Sequence, residues 1–441
     1  MEIGAPIPRP RQRRLLNERS LAIALGAITL AYFMHVLGTL SARSNQMDFS
    51  QWYVSARAFH NGVDLYRTNL QQFAARLNMN LAVYNYANYY ANYPPTFILL
   101  FEPLSWLPPL YSYWIWTACS LLLLAEILHI LLGAESGCSV WVRLSIAFLI
   151  ALFLGVRSHL YFAQVQLLIL YLLLSADRFT RNGRAPAAGA VLGLACLLKI
   201  YPFVMLGYWI VRRQWATVKY ALVTVAVGSV VTVVLFGKAD ALGFVHRLPF
   251  LQRTGGTLSI KVMVFKGVNF LLPANVATDA LRRVCEVLAV SGVLAVAVYG
   301  AIVSSPDRAG DQRSLGLWLV ATVLLTPTAW DHYMVLFIPT LVQVALAAYL
   351  FAAPRVAVWC GTGAYLLINA AGLFDVNLGR FGPFQVLYQR YSAELVWLNV
   401  VKFLCAISIF IAALSLCTDR SEESRMTTAK VNALQPVPST N

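Results

Sequence analysis

Apolar runs of about 20 residues, the length an α-helix needs to cross the hydrocarbon core of a bilayer, recur from one end of this 441-residue chain to the other. The clearest cover residues 21–40, 114–132, 216–236, 286–303, 333–351 and 396–417. Helices of this kind satisfy their own backbone polar groups inside lipid, so the pattern predicts an all-α polytopic membrane protein. Charged residues make up only 12% of the chain, whereas a soluble domain carries roughly a quarter. No stretch between the runs is long enough for a separate soluble domain. Residues 20–417 therefore read as a single membrane domain with about ten transmembrane helices. A basic segment, 1–19, precedes it and a polar tail, 418–441, follows it.

Arg9, Arg11, Arg13, Arg14 and Arg19 flank the first run. A secretory signal has a similar flank, but this run is long and no Ala-x-Ala-like site follows it, so it reads as a retained first helix. A net charge of +15 would suggest nucleic acid on a soluble protein. Here the positive-inside bias accounts for about half of the Lys and Arg, and no nucleic acid is expected. The seven cysteines lie mostly in apolar runs without C-x-x-C spacing, which indicates neither a zinc site nor a disulfide framework.

The arginines place the N-terminus in the cytoplasm. Segment 41–111 then lies outside, 177–184 inside, 238–283 outside, 304–313 inside, 326–331 outside, 353–355 inside and 374–394 outside, with a disordered cytoplasmic tail. Two spans, 141–155 and 162–176, pair through a short outer loop, 156–161. Segment 186–211 has basic residues on both flanks and is broken by Lys199-Ile200-Tyr201-Pro202. Proline removes a backbone donor, and a mid-span lysine must face protein or water. Both fit a re-entrant pair of half helices. The outer loop 238–283 is basic: Lys238, Arg247, Arg253, Lys261, Lys266, Arg282 and Arg283 stand against Asp240 and Asp279. This opposes the positive-inside rule and points to an anionic partner such as a phosphate-bearing lipid.

In the first outer segment, Phe49, Trp52, Tyr53, Ala56 and Phe59 fall on one helical face, as in an amphipathic helix lying in the membrane interface. Asp48 opens that helix, with Gln51 three residues on. It is either a helix cap with a capping-box partner or a carboxylate held at the membrane surface as a general base; one role does not exclude the other. Asn61-Gly62-Val63-Asp64-Leu65-Tyr66 reads as a turn with Gly62 at positive φ. Tyr84, Tyr86, Tyr89, Tyr90 and Tyr93 are membrane anchors or faces on which a sugar stacks. Lys199 is either paired with Glu102 or Asp331, or free to meet an anionic group.

These motifs in this order resemble glycosyltransferase family 87, the polyprenyl-phosphate-mannose-dependent alpha-mannosyltransferases among the C-type membrane glycosyltransferases. The resemblance runs from about Asp48 to Phe351. It rests on Asp48-Phe49 with Gly62-x-Asp64-Leu65-Tyr66; Tyr93-Pro94-Pro95 with Pro103-Leu104 and Leu107-Pro108; Ala163-Gln164-Val165-Gln166; Gly189-x-x-x-Gly193 with Lys199-Ile200-Tyr201-Pro202; Arg212-Arg213-Gln214-Trp215; and Thr326-Pro327-x-x-Trp330-Asp331-His332. One departure is Ala163-Gln164-Val165-Gln166, where the family usually reads Gly-Gln-x-Asn.

The resemblance implies a C-type fold and a hexosyltransferase of the cell membrane. Mannose, or a related sugar, would pass from a polyprenyl phosphate to a glycolipid or glycan acceptor on the outer face, with inversion. Neither a nucleotide sugar nor a metal or other cofactor is implied. Asp48 matches the family's catalytic base. His332 is a second acid/base or a polar helix end. Lys199 would contact the donor phosphate, joined by Arg157, His159, Lys261 and Lys266, with Tyr93, Gln164 and Trp330 as further substrate contacts. The rival reading is a lipid or solute transporter or flippase. No internal repeat supports it, and the long aromatic outer segment goes beyond what transport needs. An acyltransferase or lipid-carrier phosphatase lacks a signature.

Overall fold

The computed structural model describes residues 9–40, 48–79, 81, 90–133, 138–251, 258–272, 275–305, 307–350, 354–378 and 396–419. Residues 1–8, most of the polar tail, Tyr84, Tyr86, Tyr89, Arg253 and most of segment 374–394 lie outside the described residues. Every regular element among the described residues is helical.

The first helices are α1 (Arg9–Leu40), α2 (Asp48–His60), α3 (Gln71–Arg76), α4 (Pro95–Phe101) and α5 (Pro109–Leu131). Next come α6 (Val140–Ala151), α7 (Leu154–Phe162), α8 (Gln166–Arg181), α9 (Ala185–Leu198) and α10 (Leu206–Val211). The second half holds α11 (Trp215–Leu251), α12 (Ile260–Leu271), α13 (Val276–Val303), α14 (Arg308–Leu325), α15 (Ile338–Tyr349), α16 (Arg355–Leu378) and α17 (Val396–Thr418). Among the described residues, six helical segments are long and apolar enough to cross a membrane: 17–38, 109–131, 215–237, 276–303, 331–349 and 397–418. The pair α6–α7, bent by 52°, adds a seventh. The chain is thus a multi-pass membrane protein.

Three expectations change. Segment 156–161, expected as an outer loop, is helix: it lies in α7, whose left-handed cap comes later, at Ala163. Helix α2 does not have the one wet face expected of it. Phe49 to Ala56 are all buried, and its polar positions are satisfied internally, as where Ser55 Oγ donates to Gln51 O at 2.7 Å. The basic segment 238–283 is largely helical, because α11 continues past a kink at Gly237 (φ 77°) and α12 follows.

Segment 186–211 breaks where the sequence indicates. Helix α9 ends at Lys199, which is extended (φ −147°, ψ 150°), and a 3₁₀ turn, Tyr201–Met205, leads into α10. The chain leaves from beside the last turn of α8 and returns to it. Trp209 Nε1 donates to Thr180 Oγ1 at 3.0 Å, and Tyr208 Oη donates to Asp177 Oδ1 at 3.4 Å. Gly189 and Gly193 make the descent possible: a Cβ on either would collide with the Tyr220–Thr224 stretch of α11, the close approach that small residues four apart allow in membranes. The tip carries Lys199, half-buried.

Candidate active site

Asp48, the first residue of α2, lies beside the turn that joins α7 to α8. That turn is a helix cap: Gln164 N donates to His159 O at 3.0 Å and Ala163 N to Leu160 O at 3.2 Å, with Ala163 left-handed at φ 48°. From this turn Gln164 reaches α2, where its Nε2 donates to Asp48 Oδ2 in a short hydrogen bond. Gln51 Nε2 reaches Oδ1 of the same carboxylate at 3.4 Å. The Gln51 amide thus meets the Asp48 side chain, where a capping box would have it meet the backbone N–H.

Lys199 stands close enough to Asp48 for the carboxylate to act on it electrostatically. Neither structural partner expected from the sequence holds it. Glu102 accepts from Trp106 Nε1 at 2.7 Å and pairs with His60 Nδ1 at 2.9 Å. Asp331 is taken by Lys402 at 2.6 Å. Among the described residues no carboxylate lies within ion-pair distance of Lys199. Its ammonium sits over the Tyr93 ring at 4.6 Å and the Phe97 ring at 5.6 Å, with those rings stacked 4.4 Å apart. An aromatic face stabilises a desolvated cation and leaves its N–H groups for an anion.

His332 completes the group. Its ring is 5.0 Å from that of Tyr333 and 6.0 Å from that of Phe162, and it interacts electrostatically with Lys199 and His159. Tyr333 in turn feels Asp48, and its ring lies 5.0 Å from that of Tyr201. Three buried polar atoms here have no hydrogen-bond partner among the described residues: His332 Nδ1, His159 Nδ1 and Tyr201 Oη. Each costs about 1–3 kcal/mol if left unmet.

The remaining expected residues separate. His159 is wholly buried, with Nε2 3.3 Å from Ser120 Oγ, and stays near the cluster. Arg157 turns away, donating through Nη2 to Gly372 O at 2.6 Å and interacting with Tyr32. Trp330 is 43% exposed. Lys261 and Lys266 lie on α12, which has no buried residue; their segment reaches the site only indirectly, as Leu258 N donates to Ala329 O at 3.1 Å. Among the described residues no three metal-ligating side chains converge. A cavity of about 270 Å³ lies elsewhere, lined by Glu18, Leu21, Val142, Ile146 and Tyr349, and its apolar walls suit no sugar phosphate.

Sequence reasoning missed Tyr201, read only as part of the Lys199–Pro202 break; Tyr333, read only as the start of an apolar run; Trp116, one of many apolar-run aromatics; and Lys402, a lone lysine in the last span. For Lys402 the signal was available, since a charge in mid-span needs a partner.

Two curated proteins are similar over much of their length. A polyprenol-phosphate-mannose-dependent alpha-(1-2)-phosphatidylinositol mannoside mannosyltransferase of Mycobacterium tuberculosis is 24% identical over 392 residues, covering 85% of this chain and 83% of the relative. A protein of the same name from Mycolicibacterium smegmatis is 28% identical over 306 residues, covering 64% of this chain and 65% of the relative. No solved structure matches the chain significantly. Residues 90–328, more than half of the chain, match the sequence profile of glycosyltransferase family 87, which sets the transporter reading aside. The chain belongs to glycosyltransferase family 87 and is a glycosyltransferase.

Proposed function

We propose that the protein transfers mannose, or a closely related sugar, from a polyprenyl phosphate to a glycolipid or glycan acceptor at the outer face of the cell membrane, with inversion at the anomeric carbon. Asp48 takes the proton of the acceptor hydroxyl as its oxygen bonds to the anomeric carbon. The bond from that carbon to the phosphate oxygen breaks, and its electron pair leaves with the polyprenyl phosphate. Lys199 meets the charge that develops there, the point at which a fixed cation contributes most. His332 and the Tyr201 hydroxyl donate to the same phosphate or to the sugar; Tyr93 offers its face to the sugar ring, and Gln164 holds the base in line. The observation that carries this reading is Lys199, desolvated, without a carboxylate partner among the described residues and poised beside Asp48.

Both relatives' names specify a polyprenol-phosphate-mannose donor and a phosphatidylinositol mannoside acceptor, so a mannosylated phospholipid is the first acceptor to try. Counting α8, α14 and α16 alongside the six long spans and the bent pair α6–α7 gives about ten membrane helices, with the re-entrant pair besides, in line with a C-type fold. Residues 1–19 would then lie in the cytoplasm, 41–111 and 238–283 outside, and 418–441 form a cytoplasmic tail.

The test is transfer of labelled mannose from polyprenyl-phosphate mannose to a mannosylated phospholipid by the purified full chain in lipid nanodiscs. Asp48→Asn should lower the rate by about 10²–10⁴-fold, the usual worth of a general base, while the protein stays folded. Transfer by Asp48→Asn at the wild-type rate would leave Asp48 as a structural carboxylate only.

A further inference from the structure

We infer that Trp116 is a positioning residue for the transfer site: its indole N–H fixes the turn from which Gln164 reaches Asp48, with the Trp52 indole as a second clamp. This rests on the reading of Asp48 as the base.

The cap at Ala163 ends α7, and the carbonyls of Ala163 and Gln164 fall in the turn before α8. The first ladder bond of α8 runs from Ile169 N to Val165 O, so neither carbonyl belongs to it. Buried carbonyls need donors. Trp116 Nε1 supplies both, at 3.1 Å from Ala163 O and 3.0 Å from Gln164 O. Trp52 Nε1 adds a bond to Ala163 O at 3.3 Å.

Neither indole has room to turn. Trp52 is 1% exposed and Trp116 7%. Phe101 lies between them, 4.4 Å from the Trp52 ring and 4.6 Å from the Trp116 ring. Trp52 stands on α2, four residues beyond Asp48, so the base and one clamp move as a unit; Trp116 comes from α5. Gln164 carries both a clamped carbonyl and the amide that donates to Asp48. A shift of the turn therefore moves that amide, and misplacement near 1 Å at a reacting group can cost about 10²-fold.

The experiment is a double-mutant cycle on the full chain in nanodiscs, with polyprenyl-phosphate mannose as donor and the mannosylated phospholipid as acceptor. Trp116→Phe keeps a ring and loses the N–H. We expect kcat to fall about tenfold and the donor KM to stay within about twofold, the signature of a loss felt in the transition state. Asp48 faces Gln51, Gln164, Lys199 and Tyr333. Losing the Gln164 donor makes its carboxylate harder to ionise, so the acid limb of kcat should move to higher pH. Trp116→Phe combined with Gln164→Leu should lose no more than Gln164→Leu alone, because the indole acts through that side chain.

A Trp116→Phe enzyme with wild-type kcat and pH profile but lower thermal stability would overturn the inference, as would losses that multiply in the double variant. If Trp116→Phe does not fold, Trp52→Phe enters the same cycle with the same expectation. Asp48→Asn, run in parallel, separates the two readings. Full activity there removes the base, whereas an inactive Asp48→Asn with no coupling between Trp116 and Gln164 overturns only the positioning role.

Discussion

Lys402 Nζ donates to Asp331 Oδ2 at 2.6 Å, joining the last helix to the residue before His332 across 71 positions of sequence. The lysine side chain is 1% exposed and the aspartate 19%. This pair tethers the 3₁₀ turn Asp331–Phe337, which carries His332 and Tyr333, to α17. Removing one member of a buried pair strands the other charge and costs about 3–5 kcal/mol, toward the lower figure here because Asp331 keeps some contact with solvent. Lys402→Met should therefore lower the thermal midpoint in detergent clearly, and adding Asp331→Asn should restore part of the loss. A Lys402→Met protein that melts with the wild type would show that the pair contributes nothing.

Because Asp331 is taken, Lys199 stands apart from the structural ion pairs, and stability and activity should respond to it in opposite directions. Lys199→Met removes a desolvated cation from a largely apolar setting, so the folded protein should be as stable as the wild type or more so. Its kcat/KM for the polyprenyl-phosphate donor should fall by about 10²–10³-fold, the scale seen when one group facing developing charge is deleted. Lys199→Arg should keep part of the rate, since a guanidinium can also stack on Tyr93. Initial rates and melting curves on the same samples decide it. A Lys199→Met enzyme that is destabilised yet turns over normally would make this lysine structural.

How far the sequence could be read depended on whether a signal was local. The break at Lys199-Ile200-Tyr201-Pro202 was legible because a proline and a buried charge both forbid a plain span. The positive φ of Gly62 was legible for the same kind of reason. Asp48 and Gln164 both stood out as motif residues, but their bond depends on the left-handed cap at Ala163, and nothing in an alanine announces a left-handed turn. The burial of α2 was missed because a Phe/Trp/Tyr stripe fits lipid and protein equally well. Only α4 and α5 packing around the helix decides between them. Arg157 looked like a phosphate ligand so long as 156–161 was taken for a loop; within α7 its side chain meets Tyr32 and Gly372. Partner choice for Lys199 and Lys402 was a long-range matter that composition and spacing do not encode.

The extension of α11 past Gly237 carries a pH-dependent contact. Phe236 stacks on Phe59 at 4.0 Å just before the Gly237 kink, and beyond it Asp240 approaches Asp64 in the segment after α2. Burial and then the Asp64 carboxyl push the Asp240 carboxyl up to about 6, against the opposing pull of the Leu65 N–H and Arg67. A folded value above the unfolded 3.8 means that the native state retains a proton which the unfolded chain releases. Stability from this site is thus full below about pH 4, declines as pH rises through about 6, and is level above that. Asp240→Asn should be more stable than the wild type at pH 7 and indistinguishable from it at pH 4. Melting both proteins in detergent at pH 4, 5, 6 and 7 gives the difference directly, and a constant offset across that range would contradict the shared proton.

Ala163 pays a conformational penalty that a glycine would not. Its φ of 48° and ψ of 46° place Cβ against the neighbouring carbonyl, a strain of roughly 1–2 kcal/mol for a residue with a side chain. Glycine relieves the strain but loses more chain entropy on folding, so the net gain from Ala163→Gly should be about 0.5–1 kcal/mol. A branched side chain has the opposite sign: Ala163→Val is a steric outlier at positive φ in a position 2% exposed, and should lose at least about 2 kcal/mol or fail to fold. The two substitutions bracket the wild type because the turn itself cannot change hand. Its carbonyl is held by the indoles of Trp52 and Trp116, and its neighbour Gln164 is bonded to Asp48. Melting curves for the three proteins should therefore rank glycine above alanine above valine. Equal tolerance of valine and glycine would mean that residue 163 is not left-handed, and the route by which Gln164 reaches the carboxylate would have to be redrawn.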